Sequence, residues 1–139
     1  MSKTYLSCLS FLLLTACASP NNELPNPSQA QEKAAFEAYT DLQNSDYDAF
    51  LLHLDPNLQS YFKENEKVMR KFSHSIPNEA YKSKTLMTKK IETDASGVEQ
   101  YKVSYEITYP KNLVQYDVSF DRAQGDSTIK NFNVRVFGE

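Results

Sequence analysis

Two histidines, His53 and His74, are the side chains of this sequence best suited to metal binding or to acid–base chemistry near neutral pH. A zinc site built on them would need further histidine, cysteine or acidic ligands at ligand spacing, and the sequence contains no H-x-x-x-H, H-E-x-x-H or C-x-x-C pattern. Ser73 and Ser75 flank His74, but the G-x-S-x-G pattern of a serine hydrolase is absent. We therefore predict no metal site, no cofactor and no serine nucleophile.

Three aspartates, Asp46, Asp48 and Asp55, cluster around a predicted short helix. A carboxylate there could act as a base if burial raised its pKa. An aspartate at the start of a helix usually has a simpler role, because its side chain accepts hydrogen bonds from the first free backbone amides. Helix capping is therefore the predicted role of these residues, and catalysis is the alternative.

The remaining reactive side chain is Cys17, which lies in the stretch L-L-L-T-A-C-A-S-P. Lys3 precedes an apolar run from Tyr5 to Leu14, and this run is much shorter than the ~20 residues that a helix needs to cross a bilayer. A charged start, a short hydrophobic run and small residues at its end predict a secretory signal peptide over residues 1–16.

Residues Leu14–Cys17, L-T-A-C, resemble the lipobox of bacterial lipoproteins, which is an aliphatic residue, two small residues and an obligatory cysteine. The resemblance implies transfer of a diacylglyceryl group to the Cys17 thiol, cleavage before Cys17 and acylation of the new amino terminus. More than one acyl chain is needed for stable membrane anchoring. Ala18, where the family uses aspartate for inner-membrane retention, favours the outer membrane facing the periplasm. The alternatives are a conventional cleavage site or a disulfide with Cys8.

The rest of the chain is long enough for one domain with one hydrophobic core. Residues 17–27 would be the lipidated cysteine and an extended, poorly ordered tether, because A-S-P-N-N-E-L-P-N-P is polar and contains three prolines. Residues 28–139 would form the single domain. The net charge of −3 argues against nucleic acid as a partner, and three glycines are too few for a phosphate-binding loop.

The first half of this domain has helical patterns. The sequence S-Q-A-Q at residues 28–31 matches a capping box, and the helix that it begins should end near Asn44. Ser45–Asp46 predicts the start of a short second helix. Asp55–Pro56 predicts a third, since aspartate can cap and proline suits the first helical position. We expect the third helix to bend near Asn65.

The second half alternates between apolar and polar residues, as half-buried strands do. The predicted strands are Lys82–Thr93, a strand from Val98 to Tyr109, Val114–Phe120 and a last strand from Ile129 to Val136. Turns at Asp94–Gly97 and Pro110–Asn112 predict antiparallel hairpins. Ile129 and Phe132 have opposite parity, which predicts a register change or bulge near Asn131.

Helices followed by a strand meander predict an α+β fold, with helices on one face of a curved antiparallel sheet of four or more strands. This order resembles the nuclear transport factor 2-like and cystatin-like group, especially secreted lipoproteins with a helix, D-Y-D-x-[FL], a helix and then strands. The matching residues are Asn44–Phe50, N-S-D-Y-D-A-F. The resemblance implies a cone with a pocket that binds small molecules or supports dimerisation. One departure is that no strand is predicted between the second and third helices.

A row of aromatic residues on the predicted hairpin is the candidate pocket, because tyrosine offers a flat apolar face and one polar tip. Its members are Tyr101, Tyr105, Tyr109, Tyr116 and Phe120. Core packing beneath the helices is the alternative role of these side chains.

These observations favour a membrane-anchored, non-enzymatic lipoprotein of the cell envelope that binds a small apolar ligand or a protein partner. The resemblance also implies an alternative, an enzyme of the same fold with an Asp/Tyr pair in the cone. A third hypothesis is an immunity or inhibitor lipoprotein that neutralises an envelope-acting toxin or hydrolase. A homodimer through the sheet would use Val114–Phe120 or the last strand as its edge.

Overall fold

The computed structural model describes residues 23–138, and within them four helices precede four strands. The predicted signal peptide, the lipobox and Cys17 lie outside the described residues. In chain order the elements are α1 Gln29–Gln43, α2 Tyr47–Leu52, α3 Pro56–Glu64, α4 Glu66–Ser75, β1 Ser83–Thr93, β2 Glu99–Thr108, β3 Asn112–Phe120 and β4 Asn131–Gly138. The predicted α+β class and the predicted element order are confirmed.

The helix starts are fixed by the caps that the sequence predicts. The Ser28 hydroxyl accepts a hydrogen bond from the Gln31 amide at 3.1 Å, and the Gln31 side chain accepts one from the Ser28 amide at 3.1 Å. Asp46 and Asp55 each accept a hydrogen bond from the backbone amide three residues downstream, at 3.2 and 2.8 Å. The capping role predicted for Asp46 and Asp55 is therefore confirmed, whereas the same prediction for Asp48 is wrong, because Asp48 lies inside the first turn of α2.

The third helix, which the sequence predicts as one helix bent near Asn65, is two separate helices in the structure. Asn65 has φ −124° and ψ 52°, which is not helical, so α3 ends before it and α4 begins after it. Its side-chain amide donates to the Tyr61 carbonyl at 2.8 Å. The same carbonyl also accepts a hydrogen bond from the Asn65 backbone amide at 2.9 Å, so both donors of Asn65 close the last turn of α3.

The strands form one curved sheet in the order β1-β2-β3-β4, with every neighbouring pair antiparallel. Both predicted hairpins are present. The first turns tightly because Asp94 accepts hydrogen bonds from the Ser96 and Val98 amides, both at 2.9 Å, and Gly97 adopts φ 86°. Because β3 is an interior strand, the prediction that Val114–Phe120 could form a sheet edge is wrong. Of the two strands predicted as candidate edges, β4 alone lies at an edge of the sheet.

The irregular register lies in a different strand from the one predicted. β3 and β4 pair without a shift, whereas β1 shifts between Leu86 and Thr88. Ile129 lies before β4 and forms an isolated parallel bridge with Leu54, which follows α2. Ile129 and Phe132 therefore break the alternation because they pair with different segments: Ile129 with Leu54, and Phe132 with Val118 of β3. The bridge is a single residue on each side, so no strand separates α2 from α3 in the described chain.

The hydrophobic core lies between the helices and one face of the sheet. From α1, Phe36 contacts the Tyr105 ring at 4.8 Å between centroids, and Tyr39 contacts the Tyr116 ring at 5.1 Å. The other helices meet at Phe132 of β4, whose ring is contacted by one phenylalanine from each of α2, α3 and α4. These are Phe50, Phe62 and Phe72, at 5.3, 6.3 and 5.3 Å. Edge-to-face aromatic packing therefore joins each helix to the sheet.

The described part of the predicted tether, residues 23–27, lies against this domain. The Tyr101 hydroxyl donates to the Pro25 carbonyl, and Leu24 is partly buried against the core. These contacts fix the position of a segment for which the sequence pattern predicts a poorly ordered tether. Its preceding residues, 17–22, are outside the described part of the chain.

Candidate functional site

The five aromatic residues predicted to line a pocket lie together in the core. Their exposed fractions range from 0% to 3%. Tyr101 lies opposite Phe120 across β2 and β3, and Tyr105 lies opposite Tyr116. The structure thus brings the five predicted residues together and places them beneath α1. Both the predicted pocket and the alternative role, core packing, would put them there.

Most of the tyrosine hydroxyls in this cluster are hydrogen-bonded to the elements that cover them. The Tyr116 hydroxyl donates to the Ala35 carbonyl of α1 at 2.6 Å. The Tyr109 and Tyr39 hydroxyls are 2.8 Å apart, and the Gln43 side chain donates to the Tyr109 hydroxyl at 3.3 Å. The polar tips that could have recognised a ligand therefore hold α1 to the sheet instead.

Tyr105 is the exception in this row. Its hydroxyl is buried and has no hydrogen-bond partner among the described residues. Burial, and secondarily the negative charge of Glu32, raises the pKa of this phenol above its ordinary value. Leaving a buried hydroxyl unpaired costs on the order of 1–3 kcal/mol, so this group has the chemistry to accept a further polar partner.

Near Tyr105, a shallow depression of about 470 Å³ separates α1 from the exposed strand β1. Phe36 and Lys84 form one wall, with the Lys84 ammonium 3.8 Å from the centre of the Phe36 ring. Glu32, Glu37 and Asp41 line it as well. Seven of its eight lining residues are polar or charged, and its single aromatic face already carries a cation.

A second depression, of about 230 Å³, lies on the sheet face that the helices leave uncovered. Its apolar wall consists of Met87, Leu113 and Phe137, and its polar residues include Ser104 and Gln115. Met87 is 55% exposed and Phe137 is 48% exposed, and both line the same depression. We call this set, Met87, Leu113 and Phe137, the outer apolar patch.

Beside this patch, the uncovered sheet face contains a polar cluster that sequence reasoning missed. Ser104, Asp117 and Ser119 are buried, although strict alternation predicts a solvated face for them. The Asp117 carboxylate accepts hydrogen bonds from the Ser104 hydroxyl at 2.6 Å and the Gln115 amide at 3.1 Å, and lies 3.8 Å from the Arg135 guanidinium. Alternation fixes which face a residue occupies, but the long side chains around it decide whether water reaches it.

The polar residues considered for chemistry are dispersed. The His53 imidazole lies 3.0 Å from the Asp41 carboxylate, and His74 is exposed on α4. Asp55 caps α3 and lies 3.6 Å from the Lys130 ammonium, whereas Asp48 is exposed. Among residues 23–138, no three histidine, cysteine or acidic side chains are grouped so that they could hold a metal ion.

No family model matches this chain, and neither does any curated protein or solved structure. Within the described residues, no helix has the length and apolar character needed to span a bilayer. The features of this protein that bear on its function are the sequence motif at Cys17 and the two surface depressions described above.

Proposed function

We propose that this protein is a lipid-anchored lipoprotein of the cell envelope whose domain, of the nuclear transport factor 2-like cone type, binds a protein partner without catalysing a reaction. The anchor is supported by the L-T-A-C sequence at Leu14–Cys17. The binding role is supported by one structural observation above all, the outer apolar patch on the uncovered face of the sheet.

The size of the patch favours a protein over a free small molecule. Ligand pockets usually enclose about 300–1,000 Å³, whereas the depression at the outer apolar patch has a volume of about 230 Å³. A space of this size suits one or two side chains of a partner. Methionine and phenylalanine, which form its exposed wall, are enriched in protein interfaces relative to the rest of the surface.

A small ligand is the second candidate, and the Tyr105 hydroxyl is the observation that favours it. A buried phenol without a partner can donate a hydrogen bond to a carbonyl or an ether oxygen. A ligand of this kind would enter beside Phe36, from the depression between α1 and β1, and would bring an acceptor together with an apolar body.

The anchor is tested by intact-mass analysis of the protein extracted from membranes of its host. The expected mass is that of residues 17–139 plus acyl groups. Cys17→Ala is expected to accumulate as an uncleaved, unlipidated precursor. A Cys17→Ala protein that was still processed correctly and still partitioned with membranes would refute the lipobox assignment.

The binding surface is tested with a photoreactive phenylalanine analogue placed at position 137 and, as a control, at Leu52, which is exposed on α2. Illumination of intact envelopes should give a discrete adduct from position 137 and none from position 52. An adduct of twice the protein mass would identify a second copy, the predicted homodimer through the sheet. Equal adducts at both positions, or a purified protein that carries a low-mass apolar compound and no adduct, would contradict the partner proposal.

A further inference from the structure

The segment that leads into α1 is fastened to one end of the domain by side chains from distant parts of the chain. The Lys89 ammonium of β1 donates to the Asn26 side chain at 2.9 Å and lies 3.6 Å from the Glu23 carboxylate. The Gln124 side chain, from the loop between β3 and β4, donates to the Asn26 carbonyl at 2.6 Å. Residues 23–27 are therefore held from both sides.

The fastened segment lies toward one end of the sheet, because Tyr101, near the start of β2, and Gln124, in the loop after β3, both contact it. The pairing registers place Thr93, Glu99, Phe120 and Asn131 at this end, together with the Asp94–Gly97 turn and the loop of residues 121–130. We call it the anchor end. The opposite end contains the Tyr109–Asn112 turn and Gly138, and the outer apolar patch lies in that half of the sheet.

The length of chain between the anchor and the domain is short. Six residue steps separate Cys17 from Glu23, and a fully extended chain spans at most ~3.3–3.6 Å per residue, or about 20 Å in total. A nine-residue strand such as β3 is itself about 30 Å long. Lys89, which holds Glu23, is four residues from Thr93 at the anchor end of β1 and six residues from Ser83 at the opposite end. The anchor end is therefore the nearer of the two ends to the short chain that leads to Cys17.

We propose that the anchor end faces the lipid headgroups and that the outer apolar patch is held away from the bilayer, toward the periplasmic partner. This orientation rests on the lipid anchor proposed above. The anchor end is suited to a headgroup layer, because most of its side chains are polar and it carries charges of both signs. Arg122 and Lys130 are basic, Asp94, Glu99, Asp121 and Asp126 are acidic, and Val98 is an exposed apolar side chain. It would rest on the surface without inserting into the hydrocarbon.

The chain contains no tryptophan, so a single introduced tryptophan reports its own position. Ala95→Trp places the reporter in the exposed turn at the anchor end, and Lys111→Trp places it in the exposed turn at the opposite end. Each variant is extracted from host membranes and reconstituted into phosphatidylcholine vesicles that contain a dansyl-labelled phosphatidylethanolamine. We expect energy transfer to the dansyl headgroups to be several-fold more efficient from the A95W protein than from the K111W protein.

The possible outcomes of this experiment test the proposed orientation and the proposed lipid anchor separately. Equal transfer from the two variants, or stronger transfer from K111W, would overturn the orientation while leaving the anchor intact. A protein that fails to incorporate into vesicles would refute the anchor, and the orientation would fall with it.

A matched pair of lysine variants tests whether the fastened segment sets the orientation. In the A95W protein, Lys89→Ala removes the contacts with Glu23 and Asn26 and is expected to lower the transfer efficiency, because it lengthens the free chain. Lys90→Ala removes the adjacent lysine, whose ammonium pairs with Glu92 at 3.4 Å, and should leave the transfer unchanged. Identical transfer in both variants, with unchanged circular dichroism, would contradict the role of the segment.

Discussion

At the scale of single residues, the protein uses tyrosine mainly as a structural side chain. The Tyr116 and Tyr101 hydroxyls donate to backbone carbonyls of the chain that covers the sheet. Each of these bonds satisfies a phenol that burial would otherwise leave without water. Tyr105 differs from its neighbours because its hydroxyl has no partner among the described residues.

This difference predicts that two matched substitutions will differ in their effect on the free energy of unfolding. Tyr116→Phe should lower the free energy of unfolding by about 0.5–1.5 kcal/mol, because it removes a hydrogen bond inside the core. Tyr105→Phe should leave the free energy of unfolding unchanged or raise it, since it removes an unsatisfied buried hydroxyl. Urea denaturation of both variants measures the two values. A clear loss of stability in Tyr105→Phe would show that its hydroxyl is bonded in the native protein.

At the scale of secondary-structure elements, side-chain caps determine where the short helices begin. Asp55 caps α3 and also approaches the Lys130 ammonium, so one carboxylate connects a helix start to the chain that enters β4. The Asp55 amide donates to the Ile129 carbonyl at 2.9 Å, next to the isolated bridge. This junction holds α2, α3 and the sheet together.

Removal of this cap should therefore lower the free energy of unfolding measurably, although only one side chain is truncated. Asp55→Ala is expected to lower the free energy of unfolding by about 1 kcal/mol, within the range of about 0.5–2 kcal/mol known for N-cap aspartates. Asp48→Ala, an exposed position in the first turn of α2, is the matched control and should change it by less than about 0.5 kcal/mol. Thermal and urea denaturation provide the comparison. Equal effects of the two substitutions would argue against the capping role of Asp55.

At the scale of the whole molecule, the buried phenols make the fold sensitive to alkaline pH. Burial raises the pKa of Tyr39, Tyr101, Tyr105, Tyr109 and Tyr116 above the ordinary value of 10.0. The folded state thus favours the neutral phenol more than the unfolded state does. The resulting stability is fully present below pH 10 and is lost as the pH rises from 10 toward the folded-state pKa values.

We accordingly expect the protein to unfold cooperatively on the alkaline side of pH 10. Tyrosinate absorbance at 295 nm and circular dichroism should change together, because the buried phenols ionise only when the domain opens. Ionisation of all tyrosines near pH 10 without loss of structure would contradict the buried state of the core phenols.

Much of the architecture could be predicted from local sequence. The capping box at Ser28, the Asp55–Pro56 helix start and the Asp94–Gly97 turn depend on residues at most four positions apart, so local physics determines them. The strict alternation in β2 and β3 identified the aromatic row and its inward face correctly. The four antiparallel strands followed from the same alternation and from short turns.

Only the tertiary structure determined which neighbours these elements acquire. It placed the register shift in β1, gave Ile129 a bridge with Leu54, and buried Asp117 on the face predicted to be solvated. It also fastened residues 23–27 beneath Lys89 and Gln124 and left Met87 and Phe137 exposed on one surface. The reason is physical: caps, turns and alternation are short-range properties of the chain, whereas burial, partner choice and exposed patches depend on residues many tens of positions away.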